Sequence, residues 1–582
     1  MDALLTKTEK KSETRLKISG SEALLRCLVA EKVEHIFGYP GGAIMPVYDA
    51  LYHYADKLTH LLVRHEQGAI HAAQGYARVS GKTGVVFATS GPGATNLVTG
   101  LADALIDSTP VVCITGQVFA HLLGTDAFQE TDVINTTLPA TKWNVQVTEA
   151  KDIAPAIAKA FYIAASGRPG PVLVDITKNA QNELIEEFEY EPCRSVRTYR
   201  AKPTLQPTEV KEAAALIAQA KRPYILAGQG ILLSGASEEL RQFSEKTGIP
   251  VACTLLGLGA FPTDHPNYVG YLGMHGNYGP NVNTNECDVL IAIGMRFDDR
   301  VTGNVSKYAR QAKVIHIDID KAEINKIIRP TVAVHADARE ALVELTKLCN
   351  KSAFPEWIES FKKLNQEEFE KVVAKEIRNT SSLKMAEVIY TLSQLTKGEA
   401  VVVTDVGQHQ MVTSRYYQYK NPRTNITSGG AGTMGFALPA AMGAKVAAPQ
   451  QQVIAVIGDG GYQMTIQELG TIMQYHIPVK ILVLNNNFLG MVRQWQQLFH
   501  GKRYSFTEMQ NPDFVKIAEA YAIPAAKVTE QRNLEAALKE MLAAETSYFL
   551  EVVVEKEDNV FPMVPAGAGV AEVLLEAPPS TK

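Results

Sequence analysis

A buried strand that runs directly into a glycine-rich turn constrains this chain more than any other feature of its sequence. The apolar run Val453–Ile457 leads into Gly458-Asp459-Gly460. A helical stretch predicted over Thr465–His476 follows, then a second apolar strand, Val479–Leu484, which ends at Asn485-Asn486. This is a β-α-β unit, so its strands should be parallel. The aspartate and the second asparagine are therefore expected side by side at the carboxyl ends of neighbouring strands, where open α/β sheets bind ligands.

The residue types in this unit suit a small hard cation next to a diphosphate. Asp459 offers a carboxylate, Asn486 offers an amide oxygen, and a nearby loop can add a carbonyl. Mg²⁺ takes such oxygen ligands while keeping part of its shell for phosphate. Gly458 and Gly460 let the backbone approach a diphosphate, and the helix that follows starts with free N–H groups. The sequence therefore predicts a magnesium–diphosphate anchor.

The composition is typical of a soluble enzyme with several domains. The chain has 582 residues, 46% hydrophobic and 20% charged, and a formal net charge of −5. Dispersed basic residues argue against a nucleic-acid partner, and the apolar runs are too short for a membrane span. The six cysteines lack CxxC spacing and are expected to be free thiols, most of them buried. Met1–Lys17 has no apolar core of a signal peptide, so a cytoplasmic location is expected.

Strand patterns alternate with helical patterns in three segments, which predicts three doubly wound parallel sheets and an α/β fold class. The first and third segments look alike in architecture. The predicted units are residues 17–182, 205–348 and 382–556, with a tail at 557–582. The strands predicted in the first two units are His35–Phe37, His60–Val63, Gly84–Ala88, Val111–Thr115 and Val172–Ile176, then Pro223–Ala227, Val289–Ile293 and Val314–Ile317.

Two stretches are predicted to connect these units. Residues Asn182–Pro207 turn from acidic to basic and contain proline, which is typical of a linker. Residues Asn350–Ser382 are rich in Lys and Glu and are predicted to form a surface helix and connection. The tail, from about Glu555, is expected either to cover the site or to be mobile.

The strand-GDG-helix-strand-NN unit resembles the thiamine diphosphate (ThDP) motif. Glu66 directly follows an apolar strand and would ordinarily be a solvated turn residue. Beside this motif it matches the glutamate that ThDP enzymes place against N1′ of the aminopyrimidine. Six blocks in sequence order narrow the family to one that the chain resembles from about residue 17 to 567, the catalytic subunit of acetohydroxyacid synthase (acetolactate synthase). The blocks are Phe37–Ala43, Gly124–Glu130, Arg168–Pro171, Leu272–Gly276, Arg296–Gly303 and Met491–Trp495.

That resemblance implies a carboligase reaction. Pyruvate would lose CO₂, and the remaining hydroxyethyl unit would join a second 2-ketoacid, either pyruvate or 2-ketobutyrate, on the route to valine, leucine and isoleucine. Glu66 would activate ThDP, and Gly42, Phe128, Gln129 and Lys178 would line the reacting centre. Trp495, with Met491 and Val492 beside it, would contact the extra methyl group of 2-ketobutyrate and so favour that substrate.

The resemblance also implies three cofactors, namely ThDP, Mg²⁺ and a structural FAD. The ThDP residues by matching motif would be Glu66, Val406, Gly407, Gln408, His409, Gly432, Met434, Gly458, Asp459, Gly460, Gly461, Asn486, Phe488 and Met491. The magnesium ligands would be Asp459, Asn486 and the main-chain carbonyl of Phe488. The FAD residues would be Arg168, Gly228, Gln229, Gly230, Thr254, Leu255, Met274, His275, Arg296, Asp298, Arg300, Asp318, Ile319 and Asp337. The reaction has no net redox step, so the sequence provides no physical reason for the flavin.

Partners and alternatives complete the prediction. The family implies a homodimer or tetramer and a separate small regulatory subunit that binds branched-chain amino acids. One alternative is another ThDP and FAD enzyme, such as pyruvate oxidase or glyoxylate carboligase; the segment Asp299–Gly303 and Trp495 argue against it. A non-catalytic relative is the other alternative, and the presence of Glu66 argues against that. Phe119 and Gly461 depart from the family pattern, the first at the border of the substrate channel.

Overall fold

The structure, a computed structural model, describes residues 17–377 and 382–577. Within these ranges the chain forms three six-stranded parallel sheets and one short antiparallel ladder, Ile18–Ser19 with Leu184–Ile185. The predicted α/β fold class is confirmed. The predictions for residues 1–16, for residues 378–381 of the second connection and for residues 578–582 of the tail lie outside the described residues.

The first sheet has the spatial strand order 2-1-3-4-6-5, counted along the chain. Its central strands are buried on both faces, which explains their continuous apolar sequence. In spatial order the strands are Thr59–Leu62, His35–Gly38, Gly84–Ala88, Val111–Gln117, Pro171–Thr177 and Trp143–Val147. The last of these is an edge strand that the apolar pattern does not predict, because most of its residues are only half-buried. The α-helices are Gly20–Ala30, Met45–Leu51, Glu66–Ser80, Pro92–Thr95, Val98–Ile106, Val133–Thr137, Ile153–Ala165 and Lys178–Asn182.

The third sheet repeats the order 2-1-3-4-6-5, as expected from the likeness of the two segments. Its strands in spatial order are Asn425–Thr427, Val401–Thr404, Val453–Gly458, Lys480–Asn485, Tyr548–Val553 and Ala525–Val528. Its α-helices are Met385–Thr396, Gln408–Tyr416, Ala437–Ala447, Asp459–Met464, Leu469–Tyr475, Gly490–Phe499, Phe514–Ala520 and Leu534–Ala543. The helical stretch predicted over Thr465–His476 is confirmed as a 3₁₀ turn, Ile466–Glu468, followed by the helix Leu469–Tyr475, but the structure adds an earlier helix that was not predicted. Helix begins at Asp459 and breaks at Thr465, whose hydroxyl donates to the Gly435 carbonyl at 2.9 Å.

The middle sheet has a different order, 3-2-1-4-5-6, which is that of dinucleotide-binding folds. Its strands in spatial order are Tyr268–Tyr271, Val251–Cys253, Pro223–Ala227, Val289–Ile293, Lys313–Asp318 and Val332–His335. Its α-helices are Pro207–Gln219, Gln229–Leu233, Ser237–Thr247, Tyr278–Thr284, Asp299–Thr302 and Ala338–Leu348. The strands at both edges and Val251–Cys253 are not among those predicted, because three or four residues are too few for a clear pattern.

The second connection contains the predicted helix, Pro355–Glu368, but one face of it is buried. Phe361 is fully buried, and Trp357 Nε1 donates to the Pro223 carbonyl at 2.8 Å. Apart from Glu368, which is buried and pairs with Arg415, the Lys and Glu residues lie on the outer face, so the expectation of a surface helix holds for that face alone.

Helices from the first and third units hold these two units together. Glu66–Ser80 packs along Ala437–Ala447. A Cβ atom at Gly75 would lie 1.9 Å from the Ala440 carbonyl oxygen, so the two backbones touch and only glycine fits there. This contact gives the first and third sheets a fixed mutual position within one chain.

The cysteine prediction is confirmed. All six thiols are free; five are buried, and Cys193 is half-buried. Across 17–377 and 382–577, the structure contains no helix with the length and apolar character needed to cross a membrane.

Candidate cofactor and active site

The glycine-rich turn and the asparagine pair meet as the sequence predicts. Strands Val453–Gly458 and Lys480–Asn485 are parallel neighbours, and both end at the same sheet edge. Asp459 and Asn486 follow them and are buried, with 1% and 3% of their surfaces exposed. Asn486 Oδ1 accepts from the backbone N–H of Phe488 at 3.1 Å, which shapes the turn that carries the Phe488 carbonyl.

A further asparagine, which the sequence analysis missed, organises this edge. Asn511 Nδ2 lies 2.7 Å from Asp459 Oδ2 and 3.1 Å from the Oδ1 atoms of both Asn485 and Asn487. Its own Oδ1 accepts from Gln463 Nε2 at 2.9 Å. One side chain therefore links the aspartate to the asparagine turn. Its only sequence signal is an asparagine before Pro512, which is typical of an ordinary turn.

The turn has the donors and charge that a magnesium diphosphate requires. Burial raises the pKa of Asp459 to about 6, so a bound cation would stabilise its ionised form. Among the described residues, His409 Nε2 is buried without a hydrogen-bond partner. Burial lowers the pKa of His409 to about 3, so the ring is neutral. A buried unpaired ring nitrogen beside a buried carboxylate fits a site built for a polar ligand.

A buried carboxylate holds the loop that carries Met434. Asp405 Oδ1 accepts from the N–H groups of Val406 at 2.8 Å and Gly435 at 3.0 Å, and its Oδ2 accepts from Ala437 at 3.0 Å. Burial raises the pKa of Asp405 to about 6. A Cβ atom at Gly461 would lie 2.5 Å from Asp405 Oδ1, which explains why this chain has glycine there.

These elements border one cavity of about 920 Å³. We call one end of the cavity the thiamine half. Five of the predicted ThDP residues line it, namely Val406, Gly407, Gly432, Met434 and Met491. Val492 and Trp495 of the helix Gly490–Phe499 line the same end. The remaining predicted ThDP residues of the third unit do not line the cavity; they are Gln408, His409, Gly458, Asp459, Gly460, Gly461, Asn486 and Phe488.

We call the other end of the cavity the flavin half. All the predicted FAD residues line it except Gly228, and they are Arg168, Gln229, Gly230, Thr254, Leu255, Met274, His275, Arg296, Asp298, Arg300, Asp318, Ile319 and Asp337. Gly228 instead packs against Gly294, whose carbonyl oxygen would lie 2.2 Å from an added Cβ.

The charges of the flavin half come from two units. Arg168, from the first unit, pairs with Asp320 at 3.2 Å and with Glu323 at 2.8 Å. Burial raises the pKa of Asp318 to about 7, which leaves this carboxyl able to donate or accept a hydrogen bond at neutral pH. Acid groups at strand ends beside an arginine fit the hydroxyls and phosphates of a dinucleotide.

Two predicted catalytic residues of the first unit, Glu66 and Gln129, contact one loop and do not line this cavity. Glu66 begins its helix, and its Oε2 accepts from Asn96 Nδ2 at 2.9 Å. A Cβ atom at Gly93 would lie 3.3 Å from Glu66 Oε1, and one at Gly91 would lie 2.9 Å from the Gln129 carbonyl oxygen. The loop after strand Gly84–Ala88 thus lies between the glutamate and the glutamine.

The other three predicted residues of the reacting centre are open to solvent or close to it. Phe128 is 89% exposed, and an added Cβ at Gly42 would touch nothing. Lys178 Nζ lies 5.9 Å from the centre of the Phe119 ring. Gln129 has φ of +59°, a strained conformation for a residue with a side chain. None of the five predicted catalytic residues, Glu66, Gln129, Phe128, Lys178 and Gly42, lines the cavity of the same chain.

Glu468 connects the third unit to the start of the Glu66 helix. Its Oε1 accepts from the backbone N–H groups of Arg64 at 3.0 Å and His65 at 3.1 Å, and its Oε2 accepts from Thr471 Oγ1 at 2.7 Å. An added Cβ at Gly68 would lie 2.4 Å from Glu468 Oε1, so glycine leaves room for the carboxylate. Nothing in its sequence context signals this role.

Each of the three units resembles one domain of a known protein family. Three family models match the chain: "Thiamine pyrophosphate enzyme, N-terminal TPP binding domain" over residues 18–136, the corresponding central domain over 210–345, and the C-terminal TPP binding domain over 405–552. These matches cover all three units, and the chain is a thiamine diphosphate-dependent enzyme.

Individual relatives narrow the class further. Acetolactate synthase isozyme 2 large subunit of Escherichia coli K12 is 46% identical over 567 residues, which cover 96% of this chain and 99% of that one. Probable acetolactate synthase large subunit of Methanocaldococcus jannaschii is 45% identical, covering 96% of this chain and 95% of its own. Acetolactate synthase large subunit of Lactococcus lactis is 43% identical, covering 97% of each. The chain belongs to the acetolactate synthase large subunits, the catalytic subunits of branched-chain amino-acid synthesis.

Proposed function

We propose that this chain decarboxylates pyruvate and joins the hydroxyethyl unit to a second 2-ketoacid, giving 2-acetolactate from pyruvate and 2-aceto-2-hydroxybutyrate from 2-ketobutyrate. The observation that carries the proposal is the buried pair Asp459 and Asn486 at one sheet edge, beside a cavity that Trp495 lines. Bound ThDP supplies the nucleophilic carbon that adds to the ketoacid. The protein has to hold the cofactor, move one proton and select the second substrate.

Mg²⁺ would be held by three oxygen atoms of this chain. These belong to the carboxylate of Asp459, the side chain of Asn486 and the main chain of Phe488. The hard oxygen donors suit Mg²⁺, which keeps its other positions for diphosphate oxygens. His409, with its unpaired buried nitrogen, and the backbone of Gly407 and Gln408 would bind the diphosphate. Met434 would support the bend between the two rings of ThDP.

Glu66 would hold the proton that activates the cofactor. One carboxylate oxygen accepts from Asn96, and the other faces the space next to Gly93. A carboxylate that is fixed at one oxygen can share a proton with the aminopyrimidine of ThDP through the other. Gln129, held in its strained conformation, would donate an amide hydrogen bond to the oxygen that becomes negative during ligation, and the Gly42 N–H would do the same.

A second copy of this chain would complete the site. Glu66 and Gln129 do not line the cavity of their own chain, and Phe128 is 89% exposed although it is large and apolar. Catalytic side chains that do not line the cavity of their own chain can serve the cavity of a second copy. We therefore propose a homodimer, or a tetramer made from it, in which the first unit of one chain faces the thiamine half of the other.

Two further components are part of the proposal. The flavin half, with Arg168 and the acidic strand ends around Asp318, would bind FAD. The relatives are named as large subunits, which implies a small partner subunit. We propose that this partner binds branched-chain amino acids and transmits feedback inhibition. The chain would act in the cytoplasm.

The test supplies purified protein with ThDP, Mg²⁺, pyruvate and 2-ketobutyrate, with and without FAD. We expect both acetohydroxy acids, with the product from 2-ketobutyrate in excess. Glu66→Gln should still bind ThDP but should slow turnover strongly; the matched control is Glu189→Gln, an exposed glutamate of the stretch Asn182–Pro207. Release of CO₂ with acetaldehyde or acetate and no ligated product would refute the proposal and favour another branch of the ThDP enzymes.

A further inference from the structure

A short glycine-rich loop lines the cavity. We call residues Ser428–Thr433 the glycine loop. Gly429, Gly430 and Ala431 line the cavity, and Gly432 leads on to Met434 in the thiamine half. A segment this rich in glycine loses much conformational freedom on folding, so external contacts must hold it in one shape.

The loop is held by a buried carboxylate from the first unit. Asp107 Oδ2 accepts from the backbone N–H of Gly429, and its Oδ1 accepts from that of Gly430, both at 2.8 Å. Arg78 Nη2 pairs with Asp107 Oδ2 at 3.0 Å, and Arg78 Nη1 donates to the Thr427 carbonyl just before the loop. Asp107 is fully buried, so each of these bonds compensates for the loss of water.

A second carboxylate, one helical turn earlier, holds the ends of the loop. Asp103 Oδ1 accepts from Ser428 Oγ and, at 2.9 Å, from Thr433 Oγ1. Ser428 Oγ in turn accepts from the Thr433 N–H at 2.8 Å, which closes the loop on itself. Asp103 and Asp107 stand at the carboxyl end of helix Val98–Ile106, where the helix dipole disfavours negative charge. Helix formation does not explain two buried acids at this position, whereas their contacts with the loop do.

The same stretch of chain also touches the flavin half. Gln229 Nε2, from the middle unit, donates to the Asp107 carbonyl at 2.9 Å. Arg168 donates to Ser108 Oγ at 2.9 Å and to the Ile106 carbonyl at 3.3 Å. Residues 106–108 therefore contact Arg168 and Gln229 through the Ser108 hydroxyl and two main-chain carbonyls. The Asp107 carboxylate contacts the glycine loop.

We propose that Asp103 and Asp107 are positioning residues that hold the glycine loop, and that they couple ligand binding in the flavin half to ligand binding in the thiamine half. A ligand that orders Arg168 and Gln229 would also order the segment that holds the loop, and the reverse must hold because coupling is reciprocal. This would explain a flavin in an enzyme without a redox step. The coupling rests on the proposed function; the hold on the loop does not.

The test compares four single substitutions in the full-length protein. Asp107→Asn removes the charge that binds two loop amides, and Thr433→Val removes one hydroxyl at nearly constant shape. Thr433→Ser restores the hydroxyl, and Asp49→Asn changes an exposed acid elsewhere in the first unit. Hydrogen–deuterium exchange of peptides from residues 425–436 reports on the loop, and exchange in 453–458 controls for intact folding. Because Thr433→Val should fold normally, the test does not depend on the harsher Asp107→Asn.

For the loop itself, we expect exchange to rise about 5-fold in Asp107→Asn and Thr433→Val, since each loses about one hydrogen bond, and to stay unchanged in Thr433→Ser and Asp49→Asn. Unchanged exchange in both of the first two variants would overturn the positioning role, whichever cofactors the protein binds.

For the coupling, ThDP and Mg²⁺ are titrated with and without FAD, and FAD is titrated with and without ThDP. In the unmodified protein we expect each cofactor to tighten the other by the same factor, about 5-fold or more, and we expect Thr433→Val to reduce that factor. Independent binding of the two cofactors would overturn the coupling. A protein that bound neither cofactor would refute the proposed function and the coupling, and the exchange data would still decide on the loop.

Discussion

Replacement of Asn511 by alanine should weaken the binding of Mg²⁺, and with it that of ThDP, while the fold is kept. Asn511 Nδ2 donates to Asp459 Oδ2 at 2.7 Å and also contacts Asn485 and Asn487, so it orients the carboxylate and the turn that carries Asn486. Alanine leaves the carboxylate free to rotate away from the position in which it meets the ion.

The magnitude follows from the bond that is lost. A hydrogen bond to a charged group contributes about 1.5–3 kcal/mol, and each 1.4 kcal/mol corresponds to about a tenfold change in affinity. We therefore expect the dissociation constant of Mg²⁺ at saturating ThDP to rise about 10- to 100-fold, which is the range typical of residues that orient metal ligands. Isothermal titration calorimetry measures this constant without any need for catalysis.

A neighbouring residue provides the control. Gln510 is exposed and precedes Asn511 directly, so Gln510→Ala changes the same loop without touching the aspartate. That variant should bind Mg²⁺ as the unmodified protein does. If Asn511→Ala bound Mg²⁺ as tightly as Gln510→Ala, Asn511 would have no part in orienting Asp459.

Three further predictions concern other parts of the site. Glu468→Ala leaves two backbone N–H groups beside Glu66 unpaired, at a cost of about 1–3 kcal/mol each, so both the melting temperature and kcat should fall; normal kcat at a lower melting temperature would limit Glu468 to stability. Trp495→Leu should lower the ratio of products from 2-ketobutyrate and pyruvate about 10- to 100-fold in a mixed feed, and an unchanged ratio would contradict its selector role. The raised pKa of Asp405, about 6, means that its contribution to stability is present below about pH 4 and is lost as pH rises through 6. Lowering the pH from 7 to 5 should therefore raise the free energy of unfolding of the unmodified protein by about 1 kcal/mol more than that of Asp405→Asn. Parallel pH profiles of the two proteins would contradict this prediction.

Local patterns in the sequence determined the anchor of the site. The apolar strand before Gly458-Asp459-Gly460 and the one before Asn485-Asn486 belong to one β-α-β unit, and parallel strands of such a unit end at the same sheet edge. That rule brings Asp459 and Asn486 together without any knowledge of the remaining chain. Strand patterns that alternate with helical patterns likewise determined the α/β class. The strand patterns are recognisable because buried parallel strands need continuous apolar runs.

The short edge strands show where such patterns stop. Trp143–Val147 is half-buried and Val251–Cys253 has three residues, so neither carries a clear apolar run, and only pairing with a neighbouring strand defines them. Helix Pro355–Glu368 has a charged sequence, yet Phe361 on it is fully buried, because the face that packs on the middle sheet is narrow.

Contacts between distant parts of the chain were decided by the tertiary structure alone. Asn511 reaches Asp459, Glu468 reaches the start of the Glu66 helix, and Asp107 reaches the glycine loop at Gly429. Each of these three side chains lies in an ordinary polar context, where a solvated turn or helix residue is the usual outcome. A hydrogen bond between residues far apart in sequence leaves no periodic trace, because it depends on how distant elements pack and not on the spacing within any one of them.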